Sequence, residues 1–213
     1  MKKFGIGCAI LGVIGFIVLL FALAGFSSYN HLVGLSQGVD QKWAQVQNNY
    51  QRRADLIPNL VSTVSGAANF EKSTLMAVTQ ARASVGQIKV DPNNAPTDPK
   101  QLAEYQNAQN QLGSALSRLL VVSERYPELR ATQQFSELSA ELAGTENRIA
   151  VARMDFNNAV MSYNSAIKSV PGVFFAGMMG YKEKPYFQAT AGSETPPKVQ
   201  FDFGNSKAAP ATN

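Results

Sequence analysis

Apolar residues follow two regimes along this chain. From Phe4 to Phe26 they run almost without relief, and no charged residue interrupts those 23 positions. As a helix the run reaches about 34 Å, enough to cross the hydrocarbon core of a bilayer. Beyond it, apolar residues recur in steps of three and four, the spacing that lines one face of a helix. Leu32, Val39, Trp43, Val46, Tyr50, Ile57, Leu60 and Val64 mark a first helix over residues 28–66, continuous or nearly so with the span, with Gly66 and Asn69 as its punctuation. Phe70, Leu75, Val78 and Val85 mark a second over residues 70–87. The stretch "VDPNNAPTDP", residues 90–99, is rich in proline and asparagine and reads as an exposed loop.

Two further helices follow. Leu102, Tyr105, Leu112, Leu116, Leu119 and Val122 face inward from residues 101–125, which Pro127 closes. Phe135, Leu142, Ile149, Ala152, Phe156, Val160, Tyr163 and Ile167 face inward from residues 132–170, with Thr132 placed as N-cap and Pro171-Gly172 as the stop. Period-two alternation occurs only in the tail segment "VQFDF". The pattern predicts an all-α protein: one N-terminal transmembrane helix (residues 1–27), then an elongated antiparallel four-helix bundle within residues 28–187.

That topology has a geometric consequence. The first and fourth bundle helices are of nearly equal length, about 58 Å each. If the first rises from the membrane, the fourth descends to it and delivers residues 171–187, "PGVFFAGMMGYKEKPYF", to the bilayer surface. The front half is apolar and too short to span, and the back half carries Lys182, Lys184 and tyrosines, as interfacial segments do. Capping of the bundle's open end is the alternative use for Val173–Met179, and both can hold. Residues 188–213 are polar and rich in Gly, Ser, Pro and Ala, the composition of a flexible tail. Within it Val199, Phe201 and Phe203 share one side of an extended segment and could add to the sheet edge of a protein partner.

Charge refines the picture. The chain carries a net +4, but Lys2 and Lys3 precede the span, leaving 17 basic against 15 acidic residues beyond it. No basic block or nucleic-acid-reading motif is present, so nucleic acid is not an expected partner. The next basic residue after Lys3 is Lys42, which places the N-terminus in the cytoplasm and the bundle on the extracytoplasmic side of the inner membrane. A cleaved signal peptide ending at Ala22-Leu23-Ala24 is the rival, disfavoured because the apolar run exceeds an ordinary signal core. Cys8 is the single cysteine, so the bundle has no disulfide framework and no thiolate metal site.

Catalytic chemistry is thinly represented. His31 is the single histidine, no nucleophile, P-loop or dinucleotide motif is present, and neither cofactor nor metal is expected. Polar residues do interrupt two apolar stripes. In "RRADLIPNL" they are Arg52, Arg53, Asp55 and Asn59, with Pro58 expected to kink the helix without ending it. Asp55 lies three residues from Arg52, within reach of a salt bridge on one helical face. In "GTENRIAVAR" they are Glu146, Asn147, Arg148 and Arg153. In an antiparallel bundle these groups meet as a polar belt. A dry, paired belt would fix helix register, whereas a hydrated one with unpaired arginines would suit an anionic ligand of a receptor or enzyme.

The segments "SYNHLVGL", "RRADLIPNLV", "LMAVTQARA", "RYPELRA", "LAGTENRIAVAR", "NNAVMSYN" and "GYKEKPYFQA" stand in the order in which the LemA family carries such motifs, and the chain resembles that family from Tyr29 to Ala189. It departs at Met154, where the family tends to be polar, and in its polar loop at 90–99. The resemblance implies a bacterial membrane protein with one anchor and an antiparallel helical domain, and supplies no enzymatic activity. The expected role is a non-enzymatic scaffold or adaptor of the cell envelope, in contact with the lipid bilayer, forming homo-oligomers and meeting a further protein, with membrane organisation as one outlet.

Overall fold

A run of 64 residues with only one internal proline, Pro58, has no strong reason to break, and it does not. In a computed structural model, which describes the backbone of residues 2–10 and all of residues 11–67 and 70–189, the first helix α1 (Lys2–Ser65) is continuous. It measures about 96 Å at the α-helical rise. From Leu11 onward it is long and apolar enough to cross a membrane, and the apolar part described there is almost wholly uncovered by the rest of the chain. The helix passes through Pro58, which is exposed.

The remaining helices are α2 (Lys72–Gln87), α3 (Pro99–Ser123), the single turn α4 (Pro127–Arg130), α5 (Gln133–Lys168) and α6 (Gly172–Met179). The α2, α3 and α5 boundaries fall within a few residues of those expected. Thr132 caps α5 as its position predicts, its hydroxyl accepting from Phe135 N. Asp98 does the same for α3, accepting from Lys100 N just before Pro99 in the first turn. No strand occurs among the described residues.

Two core clusters show the up-down-up-down order. The membrane-near cluster joins Leu32, Val39, Trp43 and Val46 of α1 to Leu102 and Tyr105 at the start of α3 and to Phe156, Val160, Tyr163 and Ile167 near the end of α5. The distal cluster joins Ile57, Leu60 and Val64 of α1 to Leu112, Leu116 and Leu119 of α3 and to Phe135 and Leu142 of early α5. The chain is thus all-α and its bundle antiparallel, as the periodicity predicts. Trp43, with no exposed surface, sits among Tyr105, Phe156 and Phe187 at centroid distances of 5.7–6.1 Å.

The proline-rich connection is less exposed than its composition implies. Ala95 and Pro96 are buried, Trp43 Nε1 donates to the Asp91 carbonyl at 2.7 Å, and Ala95 N donates to the Asp40 carboxylate at 3.0 Å. Asp91 ties the loop internally by accepting from Asn94 Nδ2 and Asn93 N, which in that order hold its carboxyl below the usual range.

The segment after α6 also differs from expectation. Gly180, at φ 74°, turns the chain, and residues 181–189 climb back along the bundle as an extended strap. Lys184 is not an interfacial lysine: it is 8% exposed, and its Nζ reaches Asp40 at 2.8 Å. Three side-chain amides clasp the strap's backbone, each donating to a carbonyl and accepting from an N–H of the same residue. Asn164 holds Lys184, Asn157 holds Phe187, and Gln106 holds Gln188, at 2.5–3.1 Å. An extended segment beside helices has no ladder partner, and buried backbone amides must be satisfied somewhere, so carboxamides take that role. Gln188, expected in the flexible tail, is therefore held; Val199, Phe201 and Phe203 lie outside the described residues.

Each clasp satisfies two backbone groups at once. Asn164→Ala combined with Asn157→Ala should therefore raise amide hydrogen exchange across residues 181–188 by more than tenfold while leaving the α1–α5 core protected. An unchanged exchange rate would show that Phe187 and Lys184 hold the strap without them.

Candidate functional site

The two clusters of apolar core residues are separated by a polar layer halfway up the bundle, and of the belt residues Arg53 and Glu146 meet there. Arg53 of α1 points inward and is 3% exposed. Its Nη1 donates to both oxygens of Glu146 on α5, at 2.9 and 3.2 Å. Its Nη2 donates to the side-chain and main-chain oxygens of Gln109 on α3. The guanidinium lies over the Tyr50 ring, 5.2 Å from its centroid. Gly113, one turn further along α3, adjoins the same group: a Cβ there would meet Nη1 in ordinary contact at 3.7 Å.

A second ion-pair group lies outside the layer. Glu141 accepts from Arg52 at 2.7 Å and from Arg148 at 3.0 Å, and the Arg52 hydrogen bond is the main reason its carboxyl is held below the usual range. Arg148 also donates to the Thr145 hydroxyl at 2.8 Å. These groups are half exposed, so their attraction is screened and contributes little to stability.

Several pairings differ from those the spacing implied. Asp55 does not pair with Arg52; it accepts from Gln51 Nε2 at 2.7 Å, on the exposed side of α1. Arg52 instead reaches across to α5. Asn59 is exposed, its carbonyl accepting from Thr63, and bridges no helices. Asn147 is exposed and lines a shallow groove with Gln45, Asn48 and Asn49 of α1. Arg153 stacks on the Phe187 ring at 4.7 Å and so belongs with the strap. The layer instead recruits Gln109 and Tyr50, and Glu141 joins the outer ion-pair group; none of the three interrupts an apolar pattern conspicuously.

The belt is thus largely a paired one. Among the described residues no group of three or more His, Cys, Asp or Glu could hold a metal ion. The Arg53 Nε and the Tyr50 hydroxyl lack protein hydrogen-bond partners, so the layer is fixed by shape and charge more than by a complete network. Burial raises the Tyr50 phenol to about 12 against the pull of Arg153 and Arg53, and raises that of Tyr105 for the same first cause. Tyr105 donates to Gln47 at 2.9 Å at the layer's membrane-near edge. Such an arrangement can specify helix register, and its arginines are occupied by carboxylates of the chain itself.

Comparison with known proteins agrees with the motif reading. Residues 42–201 match the model of the LemA family. Over 203 aligned residues the chain is 28% identical to magnetosome protein MamQ 2 of Paramagnetospirillum magneticum, covering 88% of this chain and 73% of that protein. It is 27% identical, over the same shares, to magnetosome protein MamQ of Magnetospirillum gryphiswaldense. Protein LemA of Metamycoplasma hominis is 29% identical over 160 residues, 71% of this chain and 68% of that protein.

Two outcomes follow from the layer. Glu146→Ala leaves the buried Arg53 charge with Gln109 alone and should cost about 2–3 kcal/mol in urea unfolding, whereas Arg52→Ala, at an exposed pair, should cost less than about 1 kcal/mol. Equal costs would place the two pairs in the same environment.

Alkaline pH provides the other. The Tyr50 phenol ionises near 10.0 when unfolded and near 12 when folded, so its neutral form favours the fold at lower pH. That contribution is complete below pH 10 and should be lost as pH rises through 12, a fall of up to roughly 3 kcal/mol. Tyr50→Phe should flatten the decline in a pH series of unfolding curves.

Proposed function

The chain belongs to the LemA family, and we propose that it is a membrane-anchored scaffold of the bacterial envelope that works through contacts between copies rather than through catalysis. The supporting observation is an exposed apolar stripe on α5. Val151, Met154 and Met161 are each at least 55% exposed, and their spacing of three and seven residues sets them along one face of the helix. Side chains of this kind gain from cover by a neighbour, and neighbours held in one membrane plane present such faces to each other laterally. Pairing of Arg52, Arg53 and Arg148 with Glu141 and Glu146 counts against the anionic-ligand alternative.

In this reading the apolar part of α1 is an uncleaved anchor in the inner membrane. Lys2 and Lys3 stay in the cytoplasm and the bundle stands on the far side. Because α1 runs from span to distal core without a break, the bundle holds anything bound to it at a fixed distance of several nanometres from the bilayer. The relatives named as magnetosome proteins make membrane organisation the process to look to first.

Crosslinking in intact cells tests the reading. The full chain should give self-crosslinked dimers and larger species. The pair Val151→Glu and Met154→Glu should reduce them at least severalfold with little change in thermal stability, both side chains being exposed. Undiminished self-crosslinks would move the contact elsewhere, and crosslinks only to a different protein would replace self-association by an adaptor role.

A further inference from the structure

Helix α6 has the sequence GVFFAGMM, without one polar side chain. A helix apolar all round needs cover on every side. The bundle covers one side only, through Gly172, Phe175 and Ala176. Phe174 is 60% exposed, Met178 83%, and the preceding Val170 76%.

The position of the covered side says what surrounds the rest. The Phe175 ring packs on Phe21 of α1 at a centroid distance of 5.2 Å and rests against Gly25, where a Cβ would stand only 3.0 Å from the ring. Phe21 and Gly25 belong to the apolar run that ends at Phe26. Helix α6 is therefore level with the last turns of the span, and the medium that surrounds Phe21 surrounds α6. At its other end α5 turns into α6 so tightly that a Cβ on Gly172 would collide with the Ala166 carbonyl, which leaves the helix little freedom to move away.

Polar and amphipathic groups then frame it. Gly180 reverses the chain, and Tyr181, Lys182 and Glu183 follow at once, with Glu183 paired to Lys168 at 2.9 Å in the open. Tyr29, 44% exposed, stands one turn above Gly25 on α1. Tyrosines and charged residues just beyond an apolar band mark the level of lipid headgroups.

We propose that α6 is a second lipid contact, a short helix embedded in the leaflet on the bundle's side with Phe174 and Met178 among the acyl chains. At about 12 Å it is too short to span, so it lies within one leaflet beside α1. This rests on α1 crossing the bilayer, and it adds a consequence that a single span lacks. Two contacts with the lipid fix the rotation and tilt of the bundle about the membrane normal, and so orient the α5 face.

Fluorescence quenching in vesicles tests it. The full chain carrying Cys8→Ser is placed in phosphatidylethanolamine–phosphatidylglycerol vesicles with a nitrobenzoxadiazole label on one introduced cysteine: Phe174→Cys, Phe16→Cys within the span, or Gln134→Cys at the distal end. Nitroxide on the lipid acyl chains should quench the labels at 174 and 16 at least threefold more than the label at 134, and a label at Met178→Cys should behave like that at 174. Quenching at 16 with none above the distal level at 174 and 178 overturns the α6 contact and leaves the span intact. Absence of quenching at 16 overturns both.

Discussion

A guanidinium buried between helices is tolerated where most of its donors find acceptors, and at Arg53 three helices share in holding it. Gln109 is on α3, Glu146 is on α5, and the Tyr50 ring beneath is on α1 itself. Sliding any of the three by one turn, about 5.4 Å, would leave the charge facing apolar side chains at a cost of several kcal/mol. Apolar packing above and below could accept many alignments, since Leu, Ile and Val contacts are non-directional. The polar layer selects one of them, and the positions of Trp43, Phe156 and the strap follow from that choice.

The strap gives the membrane-near half its second constraint. Asp40 accepts from Ala95 N of the loop and from Lys184 Nζ of the strap, so a single carboxylate ties two irregular segments to α1. Lys184 also lies 5.5 Å from the Tyr163 ring centroid. With the carboxamide clasps of Asn157, Asn164 and Gln106, the irregular backbone has acceptors and donors in place of a sheet ladder. The bundle here holds five layers of chain rather than four, and Phe187 serves as a core residue of the same rank as Phe156, which it meets at 5.3 Å.

Much of the architecture was legible because helical cores advertise themselves. Val39, Trp43, Val46 and Tyr50 on α1, and Ile149, Phe156, Val160 and Tyr163 on α5, are the periodic positions and are the buried ones. The belt was legible as an interruption of those stripes, but its pairing was not. Arg52 and Asp55 are close along one helix, yet Glu141 offers Arg52 a hydrogen bond and an ion pair from another. Local spacing gives the pairs that are possible, and tertiary approach decides among them. The strap was hidden for a related reason: Asn157 and Asn164 stand at positions where α5 could equally face water, and "KPYF" has no period. The polarity of residues 90–99 likewise concealed that Ala95 and Pro96 are inside.

The constraints act on different degrees of freedom, which is why the chain needs all of them. The Arg53 layer fixes translation of the helices along the bundle axis. The strap closes the flank between α3 and α5 and fixes their rotation near the membrane. Continuity of α1 then carries that geometry through Gly25, where Phe175 bears on the apolar span. A bundle joined to its anchor by a loop would be free to swivel, and any outward face would average over all directions. Under the proposed anchoring, the directions of the outer faces are set relative to the membrane by an unbroken helix and a second apolar contact beside it. For the lateral contacts proposed above, such a restriction would reduce the orientational freedom lost when two copies meet in a plane.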